Sequence, residues 1–145
     1  MENNQQLIVT QARTWLGTPF HHQARLKGKG CDCLGLVVGV VDELGIKDKN
    51  GKLLSAYDEI NYSKQPDGDY LIAKLSGIFQ EVKEPQAGDL GLFMIRNNPQ
   101  HLAIFSDYEG GLGIIHCYTQ VRKVVEHRFD KEWQSQLIKV FRWQL

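Results

Sequence analysis

From Asp89 to the C-terminus the chain alternates apolar and polar residues, and this limits its fold more than anything before it. "DLGLFMI" (Asp89–Ile95), "HLAIFSD" (His101–Asp107), "LGIIHCYT" (Leu112–Thr119), "KVVEHRF" (Lys123–Phe129) and "IKVFRW" (Ile138–Trp143) are strand-length runs split by short turns. "YEGG" (Tyr108–Gly111) has the composition of a hairpin connection. The first part of the chain has a different period. Ile8, Ala12 and Trp15 recur at helical spacing, and "GTP" (Gly17–Pro19) stops that helix. After Cys33, the residues Leu34, Val37, Val38, Val41 and Leu44 fall on one helical stripe, with Gly45 placed as the C′ residue. The stretch Lys47–Asp69 is polar and rich in turn residues, and a weak helical pattern covers Tyr70–Phe79. Helices followed by a strand meander predict an α+β domain with a mainly antiparallel sheet. At 145 residues the expectation is a single domain, 1–145, with one core.

Charge and composition exclude several functions. Lys plus Arg total 17 and Asp plus Glu total 17, so the basic excess of a nucleic-acid binder is missing. The start, "MENNQQLIVTQARTW", lacks the charged and apolar regions of a signal peptide. No apolar run reaches the roughly 20 residues of a membrane span. These features predict a chain made in the cytoplasm, with its three cysteines reduced.

The cysteines are the candidate chemistry. In "GCDCLGLV" (Gly30–Val37), Asp32 occupies the N-cap position and Cys33 the first turn of the apolar helix. A helix N-terminus favours a thiolate, and its unpaired N–H groups can receive an oxyanion. Asp32 opposes the thiolate, so a basic partner has to offset it. A buried, inert core cysteine is the plain alternative. A redox pair is disfavoured because the spacing is C-x-C. A zinc site built from Cys31, Cys33, His101, His116 and Cys117 lacks the spacing of common zinc modules.

A catalytic thiol needs a base, and the base needs an orienting group. If Glu109 and Gly110 form a two-residue turn, His116 aligns with Ala103, and His101 becomes its diagonal neighbour on the same face. A one-residue slip would separate them. His127 reads as a residue on a solvated strand face. His21 and His22 precede the Cys helix and are placed to line a cleft wall. "RLKGKG" (Arg25–Gly30) does not match a phosphate loop; its basic residues are either solvated or attract a carboxylated substrate.

These segments together resemble the NlpC family of bacterial cell-wall cysteine peptidases, and most closely its phage-associated branch. The resemblance rests on "ARTWLGTPF" (Ala12–Phe20), "GCDCLGLV" (Gly30–Val37), "AGDLGLF" (Ala87–Phe93), "QHLAIF" (Gln100–Phe105) and "IIHCY" (Ile114–Tyr118), in that order. It implies a papain-like fold with the catalytic Cys at a helix N-terminus packed on the sheet. It also implies Cys33 as nucleophile, His101 as base and His116 as the residue orienting His101. Phe20, His21, His22 and Asp32 fall in the implied substrate cleft, and Cys31 resembles a packing residue. The chain departs from the family at Phe20, where many members carry Tyr, and at Leu34, where many carry Ser.

The expectation is therefore a cysteine peptidase hydrolysing amide bonds in peptidoglycan stem peptides, with no metal or other cofactor. It would be phage or prophage encoded, with tail proteins as partners, and carried in the virion or released to the wall. Two alternatives keep the fold: a non-catalytic tail or assembly component, and a thiol hydrolase acting on an intracellular peptide.

Overall fold

The computed structural model describes residues 4–46, 79–95 and 98–143. The polar stretch Lys47–Asp69 and the weak helix expected before Phe79 lie outside the described residues. Among the described residues, helix α1 (Asn4–Arg13) leads to a small hairpin, β1 (Arg25–Leu26) and β2 (Gly30–Cys31), and then to helix α2 (Cys33–Leu44). Six strands follow: β3 (Phe79–Val82), β4 (Leu90–Ile95), β5 (Asn98–Tyr108), β6 (Gly111–Tyr118), β7 (Lys123–Arg128) and β8 (Leu137–Trp143). A short helix, α3 (Lys131–Gln136), separates the last two.

The fold is α+β with an antiparallel sheet in the order β3-β8-β4-β5-β6-β7. The expected meander holds for β4 to β7. The last strand departs from it, returning to lie between β3 and β4. The turn at Glu109 and Gly110 has two residues, with φ of 47° and 81°, and Tyr108 pairs with Gly111. That left-handed pair matches the twist a tight hairpin requires. The register it sets runs on through Ile104↔Ile115, in phase with the Ala103–His116 alignment that the sequence predicts.

Strand alternation divides the core in two. Leu90, Leu92, Leu102, Ile104, Ile115 and Cys117 face α1 and α2. Phe93, Ala103, Phe105 and Ile114 face the other way, onto Trp133 of α3. α2 is enclosed on more than the expected stripe. Leu36 and Val40 are fully buried, whereas Leu34, Val38 and Leu44 are half-buried. The reason is that α2 packs against both α1 and the sheet, so its buried arc is wide. Trp15 fills a notch at Gly39, where any Cβ would lie 2.3 Å from its indole. The indole N–H donates to Glu43 at 2.7 Å.

A buried carboxylate fixes the sheet to α1. Asp89 is fully buried and accepts two bonds from Arg142, at 2.8 and 2.7 Å, and one from Gln5 at 2.8 Å. Such a charge is tolerated inside only when paired and fully hydrogen-bonded. The "AGDLGLF" segment therefore carries structure rather than chemistry.

Candidate active site

The first turn of α2 is built by Asp32. Its backbone is extended (φ −111°, ψ −171°), and its carboxylate accepts from the Gly35 N–H at 2.7 Å. The second carboxylate oxygen accepts from the Gln23 N–H at 2.8 Å. One side chain thus caps the helix and holds the preceding loop. The helix start is pressed against that loop: a Cβ on Gly35 would lie 2.0 Å from the Ala24 carbonyl oxygen. Only glycine fits there, which gives the Asp-Cys-x-Gly-Leu element its physical reason. At the other end Gly45 is left-handed (φ 63°), and the Ile46 N–H closes on the Val41 carbonyl, as the sequence predicts.

Cys33 opens α2 and is half-buried. The β5–β6 ladder stops at Ile104↔Ile115, and beyond it the Leu102 N–H bonds to the Cys33 sulfur, as does the N–H of Leu34. Both bonds favour the thiolate, but burial and the Asp32 charge outweigh them and push the thiol up to about 12. The expected resting thiolate is therefore corrected. Cys33 rests as a thiol, because the low-dielectric site holds an anion, Asp32, beside it.

The helix-facing side of β5 belongs to Leu102, so His101, the residue before it, leaves the strand on the opposite face. There the rings of His101 and His116 meet, with Nε2 and Nδ1 2.8 Å apart. Burial lowers His101 to about 4; burial and the neighbouring rings lower His116 to about 2. Cys33, on the helix side of β5, and His101, on its other face, are thus each neutral at rest.

The row of rings continues. His116 Nε2 lies 2.9 Å from His127 Nε2, and His127 Nδ1 lies 2.9 Å from the Arg128 carbonyl oxygen. His127, expected on a solvated strand face, is half-buried: its Nε2 side meets His116, and its bond to Arg128 is exposed. It pairs with Ile114 across β6–β7, on the face that carries His116. The covering is Trp133, whose ring centroid is 5.8, 4.8 and 5.8 Å from His101, His116 and His127. Asp130 holds Trp133 in place by capping α3 and accepting from the Trp133 N–H at 3.0 Å.

The other candidate residues lie on the helix side. Phe20 is half-buried, bridges to Cys31 and packs against the core. His22 Nδ1 is 3.8 Å from the Asp32 carboxylate, while His21 is exposed and packs its Cβ over Gly30. Lys27 of the basic loop pairs with Glu43 at 2.9 Å and lies over Trp15, so it serves the fold. Cys31 is fully buried, and the Cys117 thiol donates to its carbonyl oxygen at 3.1 Å. The zinc set is thereby divided between the two faces of the sheet. Among the described residues no group of three His, Cys, Asp or Glu side chains has metal-holding geometry. Nor is any described helix long and apolar enough to cross a membrane.

Two outcomes follow from this electrostatic arrangement. Asp32→Asn keeps a capping acceptor and removes the charge that raises Cys33. The alkylation–pH profile of Cys33 should move down by about one unit, with some stability lost because the amide cannot accept from both Gln23 and Gly35. An unmoved profile would remove Asp32 as a cause. The second outcome is sensitivity to acid. Unfolded histidines bind protons near pH 6.5, and the folded His101 and His116 do so only far lower. Their contribution is intact above pH 6.5 and is lost as pH falls. At pH 5, above the main carboxylate range, the loss is about 2 kcal/mol per ring. Thermal melts between pH 7 and 5 read this directly, and a constant Tm would contradict neutral burial.

Neither a family model nor a curated protein matches the sequence. Solved structures do match. A protein of the NLP/P60 family from Staphylococcus aureus, described as similar to lipoprotein, is 21% identical with a TM-score of 0.64, over 98% of this chain and 42% of that one. The chain thus spans about two fifths of that protein's length. The NlpC/p60 domain of the peptidoglycan hydrolase SagA is 20% identical with a TM-score of 0.59, over 97% of this chain and 99% of that one. An N-acetylmuramoyl-L-alanine amidase from Bacteroides uniformis is 13% identical with a TM-score of 0.59, over 97% and 98% of the two chains. The chain has the papain-like fold of the NlpC/P60 proteins.

Proposed function

We propose that this chain is a cysteine hydrolase of amide bonds in peptidoglycan stem peptides. The observation that carries the reading is the position of Cys33. It stands at the start of a capped helix, with its sulfur on the Leu102 N–H, next in the chain to a histidine buried 2.8 Å from a second one. A core cysteine needs none of these neighbours. The fold shared with a peptidoglycan hydrolase and an amidase supports the substrate class.

Attack and deprotonation go together, since the resting pair is neutral. His101 takes the thiol proton as sulfur bonds to the amide carbonyl carbon, and the Cys33 backbone N–H at the start of α2 helps bind the oxyanion. The carbon–nitrogen bond then breaks, and His101 gives its proton to the departing amine. Water, deprotonated by His101, attacks the thioester and restores the thiol. His116 holds the His101 ring, and no metal or organic cofactor takes part.

Phe20 and His22 border the helix start and are assigned to substrate contact. The phage-associated reading, with delivery by a virion or on lysis, is supported by the sequence resemblance and by the packing role of Cys31. Digestion of purified muropeptides, read by mass spectrometry, tests the function and identifies the bond. Intact muropeptides after prolonged incubation with folded protein would favour the non-catalytic tail component.

A further inference from the structure

We propose that His127 is a positioning residue whose bond to the Arg128 carbonyl sets the proton arrangement of all three imidazoles and leaves His101 Nδ1 bare. The inference rests on the reading of His101 as the base, and its logic needs only donor and acceptor rules. A carbonyl oxygen can only accept, so His127 Nδ1, at 2.9 Å from the Arg128 oxygen, carries a proton. With one proton on the ring, His127 Nε2 has only a lone pair. His116 Nε2, 2.9 Å away, must then donate. That leaves His116 Nδ1 bare, and it accepts from His101 Nε2 at 2.8 Å. The His101 proton is therefore on Nε2, and Nδ1 is the nitrogen left to take a proton.

The reverse arrangement turns the bare Nδ1 of His127 toward the Arg128 oxygen, two lone pairs facing each other, and every mixed arrangement sets such a clash between the rings. One backbone carbonyl, three rings away, thus selects the base form of His101. Trp133 lies against all three rings, and His101 and His116 are buried from water, which would accept or donate equally well and erase the direction between them.

Two measurements on the full chain test this. Two-bond ¹H–¹⁵N correlation spectra of wild type at neutral pH should show protons on His127 Nδ1, His116 Nε2 and His101 Nε2. In His127→Phe, which keeps a ring without a polar atom, the single His101 tautomer should become a mixture. Turnover should then fall about 10- to 100-fold in kcat with KM little changed. His127→Gln should restore most of the loss, because its carbonyl accepts from His116 and its amide donates to Arg128.

A wild-type spectrum with the His101 proton on Nδ1 would overturn the proposal. So would a His101 tautomer unchanged in His127→Phe or, should that variant not fold, a Gln variant no better than His127→Ala. The spectra decide the matter without substrate. An inactive wild type with the expected spectra would reject the hydrolase reading and leave the proton arrangement standing.

Discussion

Cys33→Ala is expected to abolish muropeptide cleavage, with a loss of about 10⁴-fold or more, while the fold should persist. The size follows from what is removed. Without a nucleophile no thioester forms, and helix N–H groups with substrate binding alone sustain only a small residue of catalysis. The fold persists because Cys33 is half-buried and its helix is held by Asp32 and Gly35 rather than by the sulfur. Limited iodoacetamide labelling followed by peptide mapping gives an independent reading. Cys31 and Cys117 are sealed, at 0% and 1% exposure, so Cys33 should be modified first. Burial also pushes Cys117 up, with its bond to Cys31 as the larger cause. The selectivity thus comes from access rather than from a low thiol pKa. Cys33 modification should accelerate steeply as pH rises above neutral. Equal labelling of all three thiols in native protein, or preference for Cys31, would remove Cys33 from the role.

His101→Ala is expected to be nearly as severe, about 10²- to 10⁴-fold in kcat, the range for loss of a general base. Binding should change little, so the loss should appear in kcat rather than KM. His116 acts one step away, and its variants should separate by chemistry. His116→Gln still offers a carbonyl to His101 Nε2 and should retain part of the rate. His116→Ala leaves that nitrogen, in a ring only 5% exposed, without its partner. It should therefore lose both rate and stability. A fully active His116→Ala would show that His101 is oriented by something else.

The parts legible in the sequence were those carried by local chemistry. Asp32 reads as a cap because a short acidic side chain before an apolar helix can reach the N3 amide. Glu109 and Gly110 read as a two-residue turn, and the parity of that turn alone brought His101 and His116 to one face. His127 was not legible for an equally physical reason. Its strand is at the sheet edge, where alternation predicts solvent on one side. The cover comes from α3, a six-residue helix too short to show a period, which places Trp133 over the rings. The resting charge of Cys33 was hidden too. Helix position argues for a thiolate, and only the three-dimensional burial beside Asp32 shows that the opposing effect wins. The wide buried arc of α2 depends likewise on two layers closing over one helix, which a single stripe cannot reveal.

The contact between Gly35 and the Ala24 carbonyl makes the β1–β2 hairpin a cassette with a fixed height. Any loop grafted between Phe20 and Asp32 to change specificity has to bring a backbone oxygen to the same spot above the helix. It must also supply an amide for the second Asp32 oxygen. Grafts that miss either requirement displace the helix start and fail as unfolded protein. A library of such loops therefore sorts itself by soluble yield before any assay of cleavage. The side chain open to redesign is that of His21, which is exposed while its backbone N–H is held by the Cys31 carbonyl.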